Sequence, residues 1–350
     1  MPIEVFGSRL FGPAKLQIGE KVLEHRVDFT EWNRYSSGGR IDGDLIVIKD
    51  GELVDEGSIK DKVVLISKRP NGFDLKGTVQ AAIDYDIKAL LIEHGNPKWF
   101  VKMINGPKNP KVPVIKVRKS LIDSLVKMTG NKVKIDLPLK NEAIPCNNVI
   151  GFLSGSNPDK TLVLSTHYDH QGADPGGHRF QGAIDNISGV VTLLETAKKL
   201  ISTEKQYPFN IVIVFFSGEE SGLQGAKQFI ESFKENMIGA INLDCIGQEP
   251  EVQMVRIGYT EPIHWLPLLA KKVFDRKGIE IKWKDYGGED SVAFRNAGVP
   301  ALGLGQKPLM KSVSIHTPDD TVEALNFEAL SQWVHITEEM VYEIAKQKLY

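Results

Sequence analysis

Ile211-Val212-Ile213-Val214-Phe215-Phe216-Ser217-Gly218-Glu219-Glu220 is the stretch from which the fold can be read. Its first six residues are all apolar, a run far short of the ~20 residues that cross a bilayer. A strand of this composition has no polar side and must be buried on both faces, as in parallel sheets covered by helices. Ser217-Gly218 ends it, and a helix is expected through residues 221–233. Working outward, residues 162–165, 240–243 and 300–304 read as further strands. Residues 188–201 read as an amphipathic helix with Val191, Leu194, Ala197 and Ile201 on its apolar face. This alternation predicts an α/β fold whose central sheet is mixed but largely parallel and flanked by helices on both sides.

The N-terminal part has a different texture. Short β-branched runs occur at residues 45–48, 63–66, 89–92, 112–117 and 133–135, interrupted by helical patterns at 78–86 and 120–128. This predicts a smaller N-terminal α/β domain. Pro138, Pro145 and the polar run Lys140-Asn141-Glu142 mark a break near residue 146, so the expected domains are 1–145 and 146–350. His25 and His94 have no second ligand at useful spacing, and no chemistry is assigned to the first domain. No internal repeat or low-complexity tract is present.

Composition narrows the function. The 350 residues are 41% apolar, enough for a large core, and 43 Lys plus Arg oppose 45 Asp plus Glu. That balance makes no global basic field for nucleic acid or an anionic membrane, and neither is an expected partner. Residues 1–145 hold 24 basic and 19 acidic side chains, leaving 19 basic and 26 acidic for residues 146–350, so the acidic half is the place to look for cation ligands. The opening MPIEVFGSRL lacks the basic run and long apolar stretch of a secretory signal, and the only cysteines, Cys146 and Cys245, form no CxxC. A cytoplasmic, reducing compartment is the expectation.

In open α/β sheets, ligands bind beyond the carboxyl ends of strands. At such ends stand Thr166-His167-Tyr168-Asp169-His170, Ser217-Gly218-Glu219-Glu220, Asp244 after Asn242-Leu243, and His316-Thr317-Pro318-Asp319-Asp320. Asp185 adds a carboxylate where the loop Gly182-Ala183-Ile184-Asp185-Asn186-Ile187-Ser188-Gly189 enters a helix. Taken singly, these are ordinary loop-end groups; together, two imidazoles and three carboxylates are too many for one tetrahedral zinc, whose catalytic sites use three protein ligands and one open position. They suit two metals. If Asp185 bridges, one metal takes His167, Asp185 and Asp244, the other takes Asp185, Glu220 and His316, and a shared water fills the open positions. Metals ~3.5–4 Å apart lower the pKa of such a water and stabilise an oxyanion. There is no GxSxG and no GxxxxGK[ST], which argues against a serine hydrolase or a P-loop enzyme. His170, Asp174 and His178 are candidate substrate contacts in a Gly-rich stretch, and Trp283 and Phe294 are either pocket walls or core. Asn186-Ile187-Ser188 matches a glycosylation sequon but is read as shaping the loop and capping the helix.

The motifs just quoted, in this order and spacing from about Asn148 to residue 345, resemble those of the M28 family of zinc peptidases. The resemblance implies the same ligand sets, with Asp185 bridging, Glu219 as general base, Asp169 orienting His167, and a cis peptide bond between Asp185 and Asn186. It implies two zinc ions per chain, replaceable by cobalt or manganese, and peptide substrates with a free N-terminus: an aminopeptidase in which a bridging hydroxide attacks the scissile carbonyl. The segment from Gly287 to Ala301 is similar to the one ahead of the family's last strand and places Asp290 behind the ligands. Residues 40–145 resemble the protease-associated domain found in many members, a module expected to shape access without supplying ligands. Two departures stand out. The helices that precede the family's first strand have no counterpart unless residues 1–38 supply them, and Ile315 stands where some relatives have a Tyr oxyanion donor, a task left to Tyr286 or to the metals. Three other readings stay open: a carboxypeptidase or dipeptidase holding a substrate carboxylate on Arg179 or Arg295, a single-zinc glutaminyl cyclase, and a non-enzymatic peptidase-like binding protein.

Overall fold

The computed structural model describes residues 1–49, 56–106, 109–248, 254–257, 264–283, 288–306 and 315–347. The chain forms two compact units. The larger holds Met1–Val5, Ile144–His170 and Phe180–Tyr350, and the smaller holds Phe6–Ala143 together with Gln171–Arg179. A single cut near residue 146 cannot express this division, because two short segments cluster with the unit other than their chain neighbours.

The large unit is built on a seven-stranded sheet. Its strands are β1 (Val149–Leu153), β2 (Thr161–His167), β3 (Asn210–Phe216), β4 (Met237–Leu243), β5 (Met254–Ile257), β6 (Glu280–Trp283) and β7 (Ala301–Gln306), in spatial order β1-β3-β2-β4-β7-β5-β6. The middle of the sheet is parallel, β3 to β2 to β4 to β7, whereas β1 runs antiparallel to β3 and β5 antiparallel to β7. The sheet is therefore mixed with a parallel centre, as the sequence predicts.

Helices α1 (Ser188–Ser202), α2 (Gln224–Phe233), α3 (Trp265–Arg276), α4 (Ser291–Asn296) and α5 (Phe327–Lys346) cover both faces. Leu162 and Leu164 point into a core shared with Leu193, Leu266 and Trp333, while Val163 points the other way, into a core with Val214, Phe229 and Phe294. Adjacent residues of β2 thus feed opposite cores, which is why its sequence shows no polar alternation. Phe294 is core, and Trp283 packs against the first cluster. Among the described residues no helix is long and apolar enough to cross a membrane.

The face assigned to α1 is wrong at three of its four residues; Ala197 alone packs against the core. Val191, Leu194 and Ile201 are 41%, 45% and 61% exposed, and the buried side is Ser188, Gly189, Thr192, Leu193, Thr196 and Leu200. Small residues let the helix approach the sheet closely: a Cβ on Gly189 would come within 2.3 Å of Thr166 Oγ1. Two of the buried hydroxyls donate back to their own turn, Ser188 to the Ile184 carbonyl and Thr196 to the Thr192 carbonyl, at 2.7 and 2.8 Å. Satisfied in this way, they can be buried without the cost that makes polarity a guide to exposure.

The small unit carries an eight-stranded sheet that includes Gly39–Ile48, Val63–Ile66, Ala89–Glu93, Val114–Val117 and Lys132–Leu137, together with strands Lys15–Ile18, Lys21–Leu23 and Phe29–Glu31 that periodicity does not reveal. Leu139–Asn147, which contains Pro145 and the polar run taken to mark a break, is a strand paired with Pro2–Leu10 in a two-stranded ribbon. Fully buried Arg26 anchors the segment 171–179. It donates to Asp174 at 2.7 and 3.2 Å and to Glu31 at 2.6 Å, and Lys102 lies 2.9 Å from Asp174. Asp174 is accordingly a structural ion partner, and His178 packs edge-on against Trp99 with ring centroids 5.4 Å apart.

The corrected helix face makes a direct test. Leu193→Ala should cost about 2–5 kcal/mol, as large-to-small core changes do, whereas Leu194→Ala should stay within about 0.5 kcal/mol. Chemical denaturation of both variants measures this, and equal losses would contradict the observed face.

Candidate metal centre

Parallel pairing brings the decisive residues to one sheet edge. His167 ends β2 opposite Phe216, the last residue of β3, and Ser165 stands opposite Asn242 of β4. Beyond these ends lie Glu219, Glu220 and Asp244. Asn148 fixes the turn after β3, accepting from the Ser217 amide at 3.1 Å and donating to the Gly225 carbonyl at 2.9 Å. The floor under the site is polar but paired: Ser165 donates to Asn242 at 2.9 Å, Asn242 donates to Glu289 at 3.1 Å, and Glu289 accepts from the Ser291 amide at 2.8 Å. Gly303 makes room for this, since a Cβ there would lie 2.3 Å from the Glu289 carboxylate.

The loop carrying Asp185 is pinned on both sides. Asp320 accepts from the amides of Ile184 and Asp185 at 2.7 and 3.3 Å. Asn186, 1% exposed, donates to Thr166 Oγ1 and to the Leu243 carbonyl, both at 2.9 Å, and accepts from the amides of Gly189 and Cys245 at 3.2 and 3.3 Å. Its side chain is consumed by the fold, as the reading against glycosylation anticipates. The Asp185-Asn186 peptide bond is cis.

Two groups of donor atoms result, each with its atoms within 4.8 Å of one another: His167, Asp185 and Asp244, and His170, Asp185, Glu220 and His316. Asp185 belongs to both. Its Oδ1 lies 3.2 Å from His167 Nε2, and its Oδ2 lies 2.8 Å from His316 Nε2. His316 Nε2 is also 3.1 Å from Glu220 Oε1, and His167 Nε2 is 3.9 Å from Asp244 Oδ1. Glu219 is in neither group; its Oε2 stands 4.0 Å from His167 Nε2. The five ligand residues read from the sequence therefore converge, in two sets that share Asp185.

The donor atoms have the chemistry that divalent cations take. His167 Nδ1 meets the backbone carbonyl of Asp169 at 3.1 Å. A carbonyl only accepts, so Nδ1 carries the hydrogen and Nε2 turns its lone pair toward the cluster. That Nε2 is buried and has no hydrogen-bond partner among the described residues, and the same holds for Glu220 Oε1. Imidazole and carboxylate together suit zinc.

The electrostatics agree. Burial opposes a charged His167, but Glu219, Asp169, Asp185 and Asp244 outweigh it and hold its pKa well above the usual value. Burial likewise opposes charge on His316, and Glu220 and Asp185 push it up to about 10. Asp185 would be raised by burial, but the two imidazoles hold it well below the ordinary carboxylate range. Glu219 goes the other way: burial raises it well above that range, His167 opposes, and the charges of Glu220, Asp290 and Asp244 add to the rise. A cluster with this appetite for positive charge binds cations in competition with protons.

Other expected residues take varied places. The carboxylate of Asp169 is 3.7 Å from His167 Nδ1 and accepts instead from the Glu219 amide at 3.2 Å, so the orienting contact on His167 is made by the Asp169 main chain. Asp290 is fully buried, and burial with the nearby Asp169, Glu289 and Asp244 charges raises its carboxyl well above the usual range despite His167. Arg295 donates to Ser291 at 2.6 Å and Glu289 at 3.3 Å, and Arg179 is exposed in the small unit. His25 lies 2.8 Å from Glu31, and neither it nor His94 joins a donor group among the described residues. Tyr286 lies outside the described residues. Sequence reasoning missed His170 as a metal-site residue and missed the role of Asp320. The only available signal was their place in His167-Tyr168-Asp169-His170 and at the end of His316-Thr317-Pro318-Asp319-Asp320.

Known proteins share this arrangement of chain. The zinc aminopeptidase BSAP from Bacillus subtilis superposes with a TM-score of 0.73 at 21% identity, over 100% of this chain and 86% of that one. A peptidase M28 precursor from Shewanella amazonensis SB2B gives 0.72 at 22%, over 100% and 84%. At such identities the likeness is one of fold. In sequence, Aminopeptidase YwaD of Bacillus subtilis (strain 168) is 25% identical over 308 residues, 83% of this chain and 64% of its own length. A probable zinc metalloprotease of Pyrenophora teres f. teres (strain 0-1) is 32% identical over 131 residues, and the match spans 36% of this chain and only 27% of the relative. The profile of peptidase family M28 matches residues 148–341, more than half of the chain and every residue of both donor groups. The chain belongs to peptidase family M28.

Proposed function

We propose that this protein is a zinc-dependent aminopeptidase with two metal positions, one formed by His167, Asp185 and Asp244 and the other containing Asp185, Glu220 and His316. The observation that carries the reading is the division of Asp185, whose two oxygens face separate imidazoles at 3.2 and 2.8 Å. Zinc relatives and zinc-binding neighbours of the same fold support the choice of metal. When bound, zinc would supply Lewis acidity to a water and to the scissile carbonyl.

The chain's own residues do the rest. Glu219 sits beside the donor groups, outside both, with its proton affinity raised by burial. It takes a proton from the attacking water and returns it to the leaving amine, the double duty a carboxylate of raised pKa can perform near neutrality. Asp169 holds the Glu219 main chain. The surrounding negative charge favours a substrate's free α-amine. A carboxypeptidase or dipeptidase would need a cation for the substrate carboxylate, and Arg295 is already engaged by Glu289 and Ser291. A cyclase using one zinc leaves the second donor group without a task. A binding protein without catalysis has no need of Glu219 in its buried position. The small unit contributes no residue to either group; we retain it as a protease-associated-like module.

Dialysis against a chelator should abolish cleavage of aminoacyl substrates while N-blocked peptides stay uncut throughout, and zinc, cobalt or manganese should restore it. Full activity in a metal-free preparation would remove the mechanism.

Glu219 and Glu220 should separate cleanly. Glu219→Gln keeps the shape and loses the proton acceptor, so both metals should remain while kcat falls by roughly 10²–10⁴-fold. Glu220→Gln should lose metal from its position. Metal content measured beside steady-state rate tests both, and the opposite pattern would reverse the two roles.

A further inference from the structure

His170 has no part in the mechanism above, yet it is built into the site. Its side chain is 9% exposed, and neither ring nitrogen has a hydrogen-bond partner among the described residues. A buried imidazole left in that state is costly unless something else takes its lone pair. Nδ1 lies 3.0 Å from Glu220 Oε1, the same oxygen that lies 3.1 Å from His316 Nε2, and the two rings meet edge-on at 5.6 Å. With bonds of ~2.0–2.1 Å, ligand atoms around a tetrahedral zinc stand about 3.3 Å apart. The separations 2.8, 3.0 and 3.1 Å among Asp185, Glu220, His170 and His316 approach that figure.

The seat of the ring is also prepared. Gly182 has φ +68°, and a Cβ there would fall 2.5 Å from Cγ of His170 and 2.6 Å from the Asp185 carbonyl oxygen. One glycine thus allows both the loop that carries Asp185 and the inward position of His170.

We propose that His170 is a fourth protein ligand at the Asp185, Glu220 and His316 position. The inference rests on the two-metal reading above and makes the two positions unequal. Four protein ligands close a zinc site in the manner of structural sites, whereas three leave a place open. The open place then belongs to the His167, Asp185 and Asp244 position, the side on which Glu219 stands 4.0 Å from His167.

Zinc titration of the full chain against a competing chromophoric chelator gives stoichiometry and two affinities, and X-ray absorption at the zinc edge counts imidazoles. The wild-type protein should bind two ions, and the spectrum should show three imidazoles shared between them. His170→Ala, checked for folding by circular dichroism, should weaken one position by more than about 100-fold, beyond the 10–100-fold typical of groups that only orient a ligand, and leave the other unchanged. A variant that binds both ions as the wild type does, or weakens one by about 100-fold or less, overturns the proposal, as does a wild-type spectrum with two imidazoles. The spectrum needs no variant, so a misfolded His170→Ala does not remove the test. Wild-type protein that binds fewer than two ions overturns the two-metal reading itself and this inference with it, which separates the two failures.

Discussion

One buried carboxylate organises the large unit's chemistry. Asp185 presents its two oxygens to imidazoles from different parts of the chain, His167 from the end of β2 and His316 from beyond β7. A side chain this short can do so only if its backbone is held, and the holding is thorough. Asp320 takes the two amides at Ile184 and Asp185, and Asn186 is tied to Thr166, Leu243, Gly189 and Cys245.

The second constraint is charge. Asp185, Glu219, Glu220, Asp244 and Asp290 are gathered under protein at the same sheet edge, where uncompensated carboxylates are expensive. The imidazoles answer part of this, and their raised proton affinity shows how strongly the cluster calls for cations. Position then separates neighbours that are chemically alike. Burial and the Asp185 charge oppose ionisation of Glu220, but His316 and His170 draw it below its ordinary range, while burial lifts Glu219 above its own. Adjacent residues in sequence thus acquire opposite proton affinities from the directions their side chains take.

The rigid support beneath the site is itself polar. Ser165, Asn242, Glu289, Ser291 and Arg295 form a buried chain of partners across the sheet, with Gly303 providing the space. Such networks are worth their desolvation only when every member is satisfied, and they then fix strand register more sharply than apolar packing. In the small unit the same logic acts through Arg26, whose pairing with Asp174 and Glu31 gives segment 171–179 a buried ionic anchor.

The sequence by itself determined the parallel centre of the sheet, because strands buried on both faces leave unbroken apolar runs such as residues 211–216. It also pointed to His167, Glu220, Asp244 and His316 of the donor groups, which follow strand ends, since a parallel sheet delivers all its carboxyl ends to one edge, and to Asp185 where a loop enters a helix. It misjudged α1, whose exposed Val191, Leu194 and Ile201 imitate a core face, while buried Ser188 and Thr196, whose hydroxyls donate to nearby backbone carbonyls, hide the true one. The ribbon of Pro2–Leu10 with Leu139–Asn147 was invisible for a different reason, since its partners are far apart in the chain. Only the tertiary structure decided that His170 turns inward against Glu220 and that Asp320 holds the Asp185 loop. Those placements depend on a left-handed Gly182 and on contacts between residues 50 and 136 positions apart, His170 with Glu220 and Ile184 with Asp320, which no local pattern encodes.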